Sequence, residues 1–156
     1  MNYQIRKAIL QDIPAIIKLC AEHAIYEKAA YNKSGKAEGL KEALFGKDPV
    51  LFCYVVVKDQ THIGYATYTK EYSTWQANYY IHMDCLFLTY SARGLGIGEA
   101  LVATIAEAAN EMDCEVQWQT PAFNVRALKF YKRIGATAKC KTRLYLDKDS
   151  IQKLLM

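Results

Sequence analysis

Three glycines in six residues, Arg93-Gly94-Leu95-Gly96-Ile97-Gly98, interrupt a chain that reads as strand on one side and as helix on the other. Glycine has no Cβ, so alternating glycines strip side chains from a turn and let successive backbone N–H groups face one anion. A helix that begins directly after such a turn adds the positive end of its dipole. The stretch therefore predicts a strand-turn-helix junction able to seat a pyrophosphate. For a single glycine a tight turn needing positive φ would be the better reading, but three glycines beside an arginine favour the anion. The phosphate loop G-x-x-x-x-G-K-[ST] is absent, and Leu101 stands where a dinucleotide fingerprint would have its third glycine.

The periodicity on either side of this junction sets the fold. Tyr3 to Ala8 reads as a strand, and Asp12 is placed to cap a helix carrying Ile13, Ile16, Ile17, Cys20 and Ala24 on one side, with Pro14 in its first turn. Asn32 to Gly39 is expected to be a loop before a short helix around Leu40 to Phe45. Leu51 to Lys58 and His62 to Thr69 flank Asp59 to Thr61 as a hairpin would, and a third run, Tyr79 to Leu88, leads into the glycines. Ile97 to Met112 keeps helical spacing, Val116 to Thr120 returns as a strand, and Asn124 to Ile134 predicts a helix stopped by Gly135. Thr142 to Leu146 reads as a last strand, and Asp147 caps a closing helix. This order predicts an α/β (α+β mixed) fold with a central sheet and helices on both faces. At 156 residues and 52% hydrophobic composition, one domain spanning 1–156 is expected.

Several classes of function fall away. A net charge of +4 is too small for a nucleic-acid protein. No apolar run approaches the ~18 residues of a membrane span, and Met1 to Ala8 lacks the order of a signal peptide, so a cytoplasmic protein is expected. Five cysteines without a C-x-x-C pair read as reduced core thiols. His82 and Asp84 share a strand face, but with only three scattered histidines no metal site is expected. The charge distribution says more than the total, because Val116 to Leu146 holds seven basic residues and no acidic one. That segment is either a solvated basic face or a landing site for a phosphorylated ligand.

Arg93-x-x-Gly96-x-Gly98 resembles the R/Q-x-x-G-x-G/A pyrophosphate loop of the GNAT acetyltransferases. Asn124-Val125-Arg126-Ala127-Leu128-Lys129-Phe130-Tyr131-Lys132-Arg133-Ile134-Gly135-Ala136 is similar to a second segment of that superfamily, N-x-x-A-x-x-F-Y-x-x-x-G-F/A. Within the superfamily the chain resembles the diamine (spermidine/spermine) and thialysine N-acetyltransferases along most of its length. Glu22-x-Ala24-x-Tyr26-Glu27 matches their E-x-A-x-Y-E, and Arg143-Leu144-x-Leu146-Asp147-Lys148 is similar to their closing strand. Asp84 replaces their glutamate before the glycine loop, and Ser73-Thr74-Trp75 replaces Asp-Pro-Trp.

The resemblance implies a GNAT fold, largely antiparallel, whose strands splay at a cleft for acetyl-CoA. It places the backbone of Leu86, Phe87 and Leu88 along the acetyl carbonyl and pantetheine arm, and Arg93, Gly94, Leu95, Gly96, Ile97, Gly98 and Glu99 around the pyrophosphate. Gln117, Trp118, Gln119, Asn124, Val125, Arg126 and Ala127 would line the rest of the cofactor, with Lys132 near the adenosine phosphates. Lys132, like Lys129 and Arg133, fits a solvated helix face equally well. The resemblance makes Tyr131 the acid that protonates the leaving thiolate and Asp84, with Glu27 second, the base that frees the amine. A phenol and a thiol differ by only ~1.5 pKa units, which suits the acid role. Tyr26, Glu27, Trp75 and Asp84 would form the pocket for a small cationic amine, although Tyr26 and Trp75 also suit plain packing. A homodimer is implied as well. Acceptors on a protein N-terminus or lysine, or a non-catalytic CoA-binding module, are the competing expectations.

Overall fold

The computed structural model describes residues 2–156 and contains two compact units, Met1–Asn124 and Val125–Met156. The first unit is built on five strands, β1 (Gln4–Lys7), β2 (Phe52–Lys58), β3 (Thr61–Ser73), β4 (Asn78–Leu88) and β5 (Val116–Trp118), in the order β1-β2-β3-β4-β5. The first three pairings are antiparallel, and only β4 with β5 is parallel. Helix α1 spans Ile13–Tyr26, α2 Lys36–Phe45 and α3 Ile97–Glu111. The order of periodic segments predicts a mixed sheet, the family resemblance a largely antiparallel one, and the sheet is both.

Strand alternation divides the core between two faces. Cys53 and Val55 of β2, Tyr65 of β3 and Phe87 of β4 pack with Ile16 and Leu19 of α1 and Leu44 of α2. On α3 the residues Ile97, Leu101, Ile105 and Ala109, one every four positions, are at most 3% exposed. That i, i+4 stripe is the buried face of the helix.

Two local details differ from expectation. Asp12 does not cap α1 with its side chain. Its carboxylate instead accepts from Ile9 N–H (2.8 Å), from both terminal nitrogens of Arg6 (2.6 and 2.9 Å) and makes a 2.7 Å contact with His62 Nε2. A carboxylate that is 3% exposed needs several partners, and the arginine fork satisfies it better than one helix amide. Helix α2 also begins earlier than expected, at Lys36, because Gly35 at φ +72 supplies the turn and Gly39 is tolerated inside the helix.

In the second unit, α4 covers Val125–Arg133 and α5 covers Lys148–Leu154. Gly135, at φ +95, ends α4 while Ala136 N–H bonds to Tyr131 C=O (3.0 Å). Asp147 caps α5 by accepting from Ser150 N–H (2.8 Å), as its position suggests. The strand expected at Thr142 to Leu146 is not formed. Leu144 and Tyr145 are 86% and 81% exposed. Alternation of apolar residues is only half of what a strand needs, because the ladder itself forms by pairing with a neighbour. The cysteines likewise split: Cys53 is buried, whereas Cys140 is exposed.

Candidate active site

Strand β4 is where structure and chemistry meet. Thr67 of β3 lies opposite Cys85 and Tyr68 lies opposite Met83, so Asp84 is an extra residue without a partner in β3. Such a β-bulge re-aims one side chain and lets the strand bend away from its neighbour. The other edge of β4 pairs with β5 only from Ile81 to Met83. From Asp84 to Leu88 the edge facing away from β3 has no strand neighbour among the described residues, which leaves peptide N–H and C=O groups available to a ligand. The Asp84 side chain is 57% exposed, with His82 Nε2 4.0 Å from its Oδ1.

The free edge runs into the glycine turn. Gly94 (φ +77) and Gly96 (φ +79) adopt the left-handed conformation, and Gly96 caps α3. A Cβ added at either would meet nothing within 4 Å, so the space over the turn is open. Ile97 is fully buried, so only its backbone can serve a ligand. Leu95 and Glu99 are exposed, with Glu99 in the first turn of α3. Arg93 folds back: its Nε–H donates to Leu88 C=O (2.9 Å), and its guanidinium lies 4.2 Å from the centre of the Tyr26 ring and 5.5 Å from that of Phe87. Thr89 Oγ1, between the strand and the turn, is buried without a hydrogen-bond partner. Open glycines, an unpaired strand edge and an orphaned hydroxyl in sequence suit an extended thioester substrate with a phosphorylated tail.

The end of α1 closes the site. Tyr26 O–H donates to Asn124 Oδ1 (3.2 Å), and Asn124 is buried. His23 and Glu27, one helical turn apart, meet at 3.1 Å between Nε2 and Oε1. His23 Nδ1 lies 2.9 Å from the Tyr65 hydroxyl, and its ring stacks on Phe87 with centroids 5.1 Å apart. Burial, the largest influence, lowers the pKa of His23, while the charges of Glu27 and Asp84 push it up and Arg93 pushes it down. Both carboxylates therefore bear on one imidazole. Sequence reading passed over His23, although its i, i+4 spacing to Glu27 was visible. Burial also holds the Cys85 thiol up at about 12, which makes it an inert neighbour.

Not every expected residue joins this cluster. Trp75, 98% exposed, sits in the turn between β3 and β4. Eight residues separate the Tyr65↔Phe87 pair from Ser73↔Asn78 along β3, ~26 Å at strand rise. Within one chain, Trp75 and Glu27 are not brought together. Gln117 and Gln119 are exposed on and just after β5, with Trp118 half-buried between them. In the second unit, Val125, Arg126 and Lys132 are exposed on α4, Ala127 and Tyr131 are half-buried, and the Tyr131 ring packs against Phe130 with centroids 5.1 Å apart.

The sequence model described as Acetyltransferase (GNAT) family matches residues 16–136. The chain belongs to the GNAT acetyltransferases. A bovine (Bos taurus) relative, thialysine N-epsilon-acetyltransferase, is 30% identical over 85% of this chain and 82% of its own. The human spermidine/spermine N(1)-acetyltransferase-like protein 1 is 26% identical over 86% of this chain but only 20% of its own length. A solved integron cassette protein from the Vibrio cholerae mobile metagenome superposes with a TM-score of 0.76 at 27% identity, covering 99% of this chain and 98% of that one. As a GNAT protein the chain is an acetyl-CoA-dependent N-acetyltransferase, which answers the expectation of a non-catalytic module. No helix among the described residues is long and apolar enough to cross a membrane.

Proposed function

We propose that this GNAT enzyme transfers the acetyl group of acetyl-CoA to a primary amine of a small cationic acceptor: a diamine, a polyamine or a lysine-like amino acid. The observation that carries the reading is the Glu27 carboxylate, held 3.1 Å from His23 Nε2 beside the unpaired edge of β4, with the charge of Asp84 on that strand also acting on the same imidazole. Two carboxylates favour an acceptor with two positive or polar centres. The reacting amine must lose a proton, so only a second cationic centre keeps an ion pair through the transition state.

An alkylammonium with pKa about 10 sheds one proton before attack and another as the amide forms. Asp84, exposed on its bulge, is the proposed base, directly or through water, with Glu27 the anchor for the distal cation. Unpaired N–H groups between Asp84 and Leu88 would bind the developing oxyanion. Of the two protons lost by the amine, one goes to solvent and one equivalent reaches the departing thiolate. Tyr131 is the proposed donor, a role that rests on the family motif it occupies. The pyrophosphate is assigned to the turn at Gly94 to Gly98 and, on the family motif alone, Lys132 to the adenosine phosphates and Arg126 to the length of the cofactor. Arg93, by its observed contacts, would brace the turn.

Trp75 keeps a proposed place in acceptor binding only through assembly. We propose a cytoplasmic homodimer, consistent with the exposed Tyr72, Trp75 and Tyr79 at the end of the β3–β4 hairpin. A monomer by light scattering would remove that part. For the acceptor, the test is kcat/KM for acetyl-CoA-dependent acetylation of diaminopropane, putrescine, spermidine, thialysine and a simple monoamine, with lysine-containing peptides alongside. Diamines or thialysine should lead. A monoamine or peptide that matches them overturns the assignment.

A further inference from the structure

His23 occupies a position that the family pattern E-x-A-x-Y-E leaves open, yet it meets Glu27, Tyr65 and Phe87 at once. It is 13% exposed, and both ring nitrogens are engaged. An ionised carboxylate can only accept, so in the neutral ring Nε2 carries the hydrogen toward Glu27 and Nδ1 is bare. Nδ1 then accepts from the Tyr65 hydroxyl. Tyr65 is 1% exposed, and burial pushes its phenol far above the ordinary range, so it keeps its hydrogen at any working pH. The result is a chain with one direction: Tyr65 O–H to Nδ1, then Nε2–H to Glu27 Oε1. Stacking on Phe87 and an edge contact to Tyr65 (centroids 5.9 Å, 73°) hold the ring in that plane.

We infer that His23 is a positioning residue for the cationic acceptor, fixing Glu27 through Nε2–H, and that a proton taken up at Nδ1 competes with the acceptor for the charge of Glu27. This inference rests on the acceptor reading given above. With His23 neutral, the His23–Glu27 pair carries one net negative charge, open to a cation. When Nδ1 takes a proton from solvent, the Tyr65 hydroxyl turns and accepts from it, and the pair becomes neutral. The acceptor then loses its counter-charge at Glu27. By linkage the converse holds, and a bound cation makes His23 harder to protonate.

The other charged and titratable groups around His23 leave this competition in place. Asp84 on β4 favours the protonated ring, Arg93 after β4 opposes it, and burial, the largest effect, opposes it as well. Cys20, Cys85 and Tyr65 are all held in their neutral forms by burial. The switch between net charge states therefore belongs to His23 itself.

The test is the Kd of diaminopropane by calorimetry between about pH 5 and pH 8, a range in which both of its amines stay charged and an imidazole titrates. The wild type should bind progressively more weakly as pH falls, approaching about tenfold per unit once His23 is protonated. His23→Gln keeps an N–H donor for Glu27 and an acceptor for Tyr65 but cannot take a proton, so it should bind as the wild type does at pH 8 and vary less than about twofold across the range. His23→Leu, without the donor, should bind more weakly at every pH. Histidine resonances in the wild type give a reading independent of any variant, because added diaminopropane should shift the His23 titration to lower pH. A flat wild-type profile, or a His23→Gln profile that parallels it, overturns the inference. Glu27→Gln separates the two levels: if it leaves diamine affinity unchanged, the acceptor site itself is misplaced. If it weakens binding while His23→Gln behaves like the wild type, only the role of His23 fails.

Discussion

The two halves of β4 share a strand and a sequence style but not a purpose. From Ile81 to Met83 the strand is paired on both sides, and those two residues are 0% and 3% exposed. From Asp84 onward one edge is unpaired, and the first side chain is a half-exposed carboxylate. On the proposed reading, the contrast teaches that the chemistry starts where the ladder stops. Pairing consumes peptide groups, and only a strand released from its neighbour can offer them to a substrate.

Substitution can break this contrast at either end. Asp84→Ala should lower kcat by about 10² to 10⁴, the usual worth of a positioned base, while leaving the melting temperature within a few degrees. A loss smaller than about tenfold would transfer the base role to Glu27 or water. On the paired side, Ile81→Ala should cost about 2–5 kcal/mol of stability in urea unfolding and leave the kcat of the folded fraction intact.

Two smaller effects sharpen the comparison. Saturation with CoA at about 100 Kd should stabilise the wild type by about 2.7 kcal/mol, and Gly96→Asp should remove most of that thermal shift, since a side chain at φ +79 is strained and its charge repels a phosphate. An equal shift in the variant would move the phosphate elsewhere. The smallest effect should come from acid. Arg6, Ile9 N–H and His62 hold the Asp12 carboxyl well below the usual range, with the hydrogen bond from Arg6 the largest cause. The unfolded chain therefore binds this proton more readily, so the contribution is complete above about pH 4 and declines as pH falls toward the folded-state value. Asp12→Asn should flatten the acid limb of a stability-against-pH curve, measured by denaturant titration.

Most of the scaffold was legible because periodicity reports burial. The helical spacing of Ile97 to Met112 marked α3, the strand-like run Leu51 to Lys58 marked β2, and the three glycines after Arg93 marked the strand-turn-helix junction. What escaped depends on partners remote in sequence. Asp12 looked like a helix cap because the Arg6 fork and His62, fifty residues away, cannot be seen locally. Thr142 to Leu146 has a strand's alternation, but alternation says nothing about whether an edge is there to receive it. His23 was overlooked because one histidine on an apolar helix reads as packing until Tyr65, forty-two residues on, is placed against it. The proposed acceptor residues were the hardest to place, since Trp75 and Glu27 lie on elements whose separation only the register of β3 reveals.

The bulge at Asp84 has a meaning for how such a site can be inherited. In a regular ladder, losing one residue turns every later side chain to the opposite face. Asp84 is the exception in β4: with Thr67 opposite Cys85 and Tyr68 opposite Met83, its deletion would restore an unbroken ladder and leave Phe87 facing α1 and Met83 opposite Tyr68, as they are now. The sheet has no architectural need of it. Selection can therefore vary that position, in length and in chemistry, without renegotiating the core.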